Sequence, residues 1–239
     1  MNKAFCLRFV VAALLPVTAT AQDADVALWA NAAVDGHGNV IANPVIVIRG
    51  NTIQSVRSNA EPPTGAHVID LRGYTILPGL IDVHVHIAAS FERGARASKL
   101  ALHAARTAES LLMSGFTTVR SLSAPDEAAL AVRDAIEQGL VPGPRLLISG
   151  GGLTDATLAG AEGDRVARGI RPAHEQQIRA WIQAKKSSGV DWIKIFATRS
   201  SRQGGTAVYS QEQLDWAMDE ARKELIPVAT HAHAPDGAR

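Results

Sequence analysis

The sequence predicts an α/β fold in which parallel strands alternate with helices: a (β/α)8-type barrel of which only about the first five strand-helix units are present, preceded by a small β module. Three observations carry that reading. After residue 76, strand-like and helix-like segments alternate repeatedly, and three of the four helical patterns stop at or near a glycine just before the next apolar run. The stretch before Pro62-Pro63 holds only short strand patterns broken by turn residues. Residues 81–239 leave room for about five units at roughly 31 residues each, since a complete barrel uses about 250.

Composition sets the outer limits. Of 239 residues, 46% are hydrophobic and 20% charged, which excludes a disordered chain. Lys+Arg 24 against Asp+Glu 23, with no run of like charge, gives no electrostatic footprint for nucleic acid. The single cysteine, Cys6, excludes both a disulfide scaffold and a thiolate metal site in a mature chain that lacks it.

Residues 1–21 read as a secretory signal. Lys3 and Arg8 precede the apolar run Phe9 to Val17, and Thr18-Ala19-Thr20-Ala21 forms a small-residue cleavage site before Gln22. Nine apolar residues fall far short of the ~20 that span a bilayer. The expectation is a secreted or periplasmic protein that has no membrane contact once the signal is cleaved.

Residues 22–75 form the expected small β domain. Asp35-Gly36-His37-Gly38-Asn39 is a turn, and Gly50-Asn51 joins Val45–Ile48 to Thr52–Val56 as a hairpin. Residues 76–239 form the expected incomplete barrel. Leu80–Ile87 reads as a buried strand, followed by a helix over 97–114 with Leu100, Ala104, Ala108, Leu111 and Leu112 on one face, and a strand over 116–120. A helix over 126–138 leads to the strand 145–149, and one over 173–187 to the strand 191–198. Ser210 with Gln213 makes a capping box opening a helix to Glu224, before the last strand, 226–233. The chain ends directly after that strand, so a closed eight-stranded barrel looks cut short.

Two features carry chemistry. His84 and His86 alternate with Val83, Val85 and Ile87, so on a strand both imidazoles share a face with Asp82 and form a ready chelate for a cation such as Zn2+. Lys194 sits in Trp192-Ile193-Lys194-Ile195-Phe196-Ala197, apolar on both faces, where an ammonium carries a large desolvation penalty. Burial would free its amine for a Schiff base or for a carbamate with CO2; the alternative is a lysine that snorkels out at the strand end. His231 and His233 repeat the alternating pair at the end of the fifth strand. His67 in a linker, His103 and His174 on helices, and His37 in a turn read as solvated or packed. Ser149-Gly150-Gly151-Gly152 lacks the residues of a phosphate cradle and reads as a flexible loop.

Val68-Ile69-Asp70-Leu71-Arg72-Gly73-Tyr74 followed by Leu77-Pro78-Gly79-Leu80-Ile81-Asp82-Val83-His84-Val85-His86 resembles the opening of the metal-dependent amidohydrolase superfamily. Gly115–Arg120, Trp192–Ile195 and Val228–His233 are similar to later landmarks of its branch containing imidazolonepropionase-like enzymes and Xaa-Pro dipeptidases. The resemblance implies a distorted barrel with a small β-sandwich built from N-terminal and returning C-terminal strands. It implies one or two divalent metals, expected to be two Zn2+, with His84 and His86 on the first, carboxylated Lys194 bridging, and His231 on the second. Lys194 and His231 are thereby the catalytic residues, and His233 contacts either metal or substrate. The implied reaction is attack of a metal-bound hydroxide on an amide, dipeptide-like or cyclic C–N bond of a small molecule.

The family takes a further histidine from the sixth strand and an aspartate general base from the eighth, and neither is in this sequence; Asp236 lies in a loop and is no substitute. Ser121 stands where the family often has Asp, which predicts an altered substrate contact. Two competing readings follow: a truncated, inactive metal-binding remnant, and a solute-binding module that holds metal without turnover. An open five-strand sheet also predicts poor solubility for the isolated chain, and homo-oligomerisation stays open.

Overall fold

The computed structural model describes residues 25–88, 95–154, 174–200, 202, 204–233 and 235. The signal segment and Asp236 lie outside the described residues. Among the described residues no helix is long and apolar enough to cross a membrane. The chain divides into two compact units on either side of the Pro78–Gly79 bond.

The first unit is one five-stranded sheet of β1 (Val26–Val34), β2 (Val40–Ala42), β3 (Pro44–Arg49), β4 (Thr52–Ser58) and β5 (His67–Ile76). β1 is central: it pairs antiparallel with β2 and β3 along one edge and parallel with β5 along the other. The β3–β4 hairpin closes at Gly50, whose φ of +57° a residue with a side chain rarely adopts. Ala27, Val45 and Val47 form its small core, with Trp29, Ala60 and Ala66 packed against them. The expected sandwich is represented here by this single sheet. His67 opens β5 rather than lying in a linker, because the parallel ladder to β1 begins at Val26↔His67.

The second unit is mixed α/β. In order it contains β6 (Leu80–Val85), α1 (Ala97–Met113), β7 (Phe116–Ser121), α2 (Asp126–Glu137), β8 (Arg145–Ile148), α3 (Glu175–Ser187), β9 (Ile193–Phe196), α4 (Gln211–Lys223) and β10 (Val228–His231). The strands run parallel in two groups, β6-β7-β8 and β9-β10. An isolated bridge joins them: Leu153 N–H donates to Lys194 O at 2.7 Å, and Phe196 N–H donates to Leu153 O at 3.1 Å.

The helices bury the faces their periodicity predicts. Leu100, Ala104 and Ala108 of α1, and Ile178 and Ile182 of α3, lie in the apolar core with Val119, Ile148, Ile193 and Ile195. The capping box of α4 forms: Gln213 N–H donates to Ser210 Oγ and Ser210 N–H to Gln213 Oε1. His174 stands just before α3 instead of within it.

One burial expectation is overturned. Leu80–Ile87 was expected to be a buried strand, yet Ile81 is 66% and Val83 58% exposed. The cause is topological, because β6 lies at the edge of its sheet and pairs only with β7.

Candidate metal centre

His84 near the end of β6 and His86 just past it have ring centroids 5.1 Å apart and planes at 73°. The β6 ladder to β7 breaks register between Asp82 and Val85, so side chains hold the backbone there. His84 N–H donates to Asp82 Oδ1 at 2.9 Å, and Arg120 Nε donates to Val83 O at 2.6 Å. The segment is gripped again further on, where Leu122 N–H donates to Val85 O and Ile87 N–H to Ser121 Oγ. Ser121 is 1% exposed, and its hydroxyl accepts from the backbone just after His86.

Lys194 is the largest side chain in the fully buried set, 1% exposed between Ile193 and Ile195. The snorkelling alternative is excluded. Burial first, and the Arg120 charge second, push its amine below the ordinary lysine value. Its Nζ lies 5.3 Å from the centre of the Phe196 ring. Gly152 makes this packing possible: a Cβ there would sit 2.5 Å from Phe196 Cε2 and 3.0 Å from Lys194 Cγ.

His231 ends β10, and its ring lies 5.2 Å from Phe196 and 4.3 Å from His233. His233 is exposed, and its backbone N–H donates to Thr198 Oγ1 at 2.8 Å. The two imidazole pairs and the lysine share one electrostatic environment. Desolvation, then Lys194, lower the His84 pKa, while desolvation, His233, Lys194, His84 and His86 lower that of His231. Neutral rings are the form that ligates metal.

The loop read as flexible is buried at Ser149, Gly150 and Gly152, and hydrogen bonds hold Ser149 and Gly150 to Ser121, Ser123 and Ala124. Asp126, at the start of α2, accepts from Gly151 N–H at 2.7 Å and from Lys185 Nζ, while Lys185 also lies 5.3 Å from the Trp181 ring centre. This tether supports Gly152 and, through it, Lys194. Asp126 and Lys185 are 59 residues apart, and nothing in their local sequence marked the pairing.

Among the described residues, no three His, Cys, Asp or Glu side chains lie together closely enough to hold a metal ion. The donors come instead as two imidazole pairs with a buried lysine interacting with both. Such a set fits divalent metal when the lysine carries an added carboxylate, which supplies the anionic oxygens that nitrogen pairs lack.

The fold is that of a mixed α/β hydrolase family, and the comparisons supply which one. Residues 75–239 match the model of the amidohydrolase family, and the chain belongs to that family. Over 51 residues it is 41% identical to an imidazolonepropionase of Deinococcus radiodurans, covering 21% of this chain and 13% of that protein. The crystal structure of a Xaa-Pro dipeptidase with methionine bound in its active site superposes with a TM-score of 0.76 at 26% identity, over 90% of this chain and 58% of that one. A prolidase complexed with N-methylphosphonate-L-proline gives 0.75 at 25% identity, over 89% and 57%. The chain therefore spans a little over half the length of these structures.

Proposed function

We propose that this protein is an exported hydrolase that cleaves an amide, peptide-like or cyclic-amide C–N bond with two divalent metals, Zn2+ by preference. His84 and His86 would hold one metal, His231 the other, and a carboxylated Lys194 would join them. The observation that carries this reading is Lys194 itself, a buried amine with lowered basicity that interacts with both His84 and His231. Its neutral nitrogen attacks CO2 to form an N–C bond and releases a proton, which leaves the anionic oxygens that a cation pair needs. When bound, the metals supply Lewis-acid activation of water and of the scissile carbonyl.

The chain's own residues do the holding and orienting. Asp82 fixes the His84 backbone, Ser121 the segment after His86, and Gly152 with Phe196 the stem of Lys194. His233 is left to complete the second position or to meet substrate. His84 and His231 lie at the carboxyl ends of β6 and β10, where barrels of this kind hold their chemistry, and Lys194 lies within β9. Export rests on the charged start, apolar run and small-residue site of residues 1–21.

The test is hydrolysis of Xaa-Pro dipeptides and of cyclic amides by the protein reconstituted with Zn2+ or Mn2+ and bicarbonate. Turnover that a chelator abolishes, and a fall on the order of 100-fold or more in His84→Gln/His86→Gln, is the expected result. Stoichiometric metal with no turnover of any amide would overturn the hydrolase reading in favour of a binding module.

A further inference from the structure

Arg120 lies between two buried residues of β7, Val119 at 0% and Ser121 at 1% exposure, and its side chain leaves the strand on the opposite face. That face meets both halves of the candidate centre. The Nε of Arg120 donates to Val83 O at the point where the β6–β7 ladder loses register, one residue before His84. Its guanidinium carbon lies 4.1 Å from the centre of the Trp192 ring, two residues before Lys194. Trp192 is itself fixed by its backbone N–H, which donates to Ile148 O at the end of β8. One planar group on β7 thus touches both the backbone of β6 and the residue that precedes β9.

We propose that Arg120 and Trp192 form a brace that sets the spacing between the strand bearing His84 and His86 and the strand bearing Lys194. Both are positioning residues. Arginine suits the role because its in-plane Nε can take a carbonyl while its face stacks on an indole, two contacts that an ammonium cannot make in the same geometry. The ladder break supplies the reason: register is lost between Asp82 and Val85, and in that gap Arg120 Nε takes Val83 O, between the ties at Asp82 and at Val85. The inference rests on the metal-holding role proposed above for His84 and Lys194.

The experiment compares the parent protein with Arg120→Lys, Arg120→Met and Trp192→Leu, and uses Arg145→Lys, on the exposed start of β8, as control. Two readouts are taken: the Zn2+ Kd by competition with a chromophoric chelator, and the histidine Cε1–Hε1 resonances of the metal-free protein. The three brace variants are expected to weaken Zn2+ binding on the order of 10–100-fold. The His84 and His86 resonances should move, while that of His103 on α1 stays in place. Arg120→Lys at parent affinity with parent resonances would show that charge alone suffices and would overturn the brace. Unmoved His84 and His86 resonances in Arg120→Met and Trp192→Leu would overturn it as well. A parent protein that binds no Zn2+ removes the metal reading, and the resonances then decide the brace by themselves.

Discussion

β6 and β9 both bring candidate ligands to one centre, yet they are built in opposite ways. β9 is sealed, with Ile193 at 0%, Lys194 at 1% and Ile195 at 1% exposure, whereas β6 leaves Ile81 and Val83 more than half exposed. The difference lies in neighbours: β9 is paired with β10 and bridged to Leu153, while β6 pairs with β7 alone. A lysine needs that sealed place to lose its proton cheaply, and imidazoles, whose ordinary pKa of 6.5 is already near neutrality, do not. The strand that must alter a side chain's chemistry is the buried one.

The sharpest way to test this contrast is to truncate each strand. Ile195→Ala should cost about 2–5 kcal/mol in denaturant unfolding, because it opens a cavity in a closed core. Val83→Ala should fall within about 0.5 kcal/mol of the parent, since more than half of that side chain is already wet. Equal costs would show that β6 is buried in solution. A smaller effect is expected at the packing beneath Lys194, where Gly152→Ala drives a methyl against Phe196 and the lysine stem. Overpacking of this kind costs about 1–3 kcal/mol, and the same variant should lose metal affinity.

The smallest effect is on pH. The folded pKa of His84 and of His231 lies below the unfolded value near 6.5, so the unfolded chain binds protons more readily. Their contribution is fully present above pH 6.5 and is lost as pH falls through the folded pKa values. Metal-free protein should lose stability between pH 7 and pH 5, and His84→Gln/His231→Gln should flatten that part of the curve; an unchanged slope would refute the assignment.

Local pattern carried much of this into view. The alternation of His84 and His86, the apolar surroundings of Lys194 and the Ser210–Gln213 cap are all features within a few residues of one another. The exposure of β6 was not legible, because an apolar strand reads alike at an edge and at a centre. Ser149–Gly152 read as loose because its anchor, Asp126 with Lys185, joins two helices far apart in sequence. Arg120 stacked on Trp192 was hidden for the same reason. Long-range side-chain contacts that fix a site leave no periodicity behind them.

The join between the two groups of strands has a kinetic meaning. His84 lies in one group and His231 in the other; Lys194 lends its own carbonyl to the bridge through Leu153, and the N–H groups of Asp191 and Trp192 both donate to Ile148 O. Parting the two imidazole pairs requires these links to open together, a larger event than the fraying of one rung. The hydrogen-exchange rates of the Leu153 and Trp192 amides are therefore expected to match one another and to set an upper bound on how fast anything held between the pairs escapes.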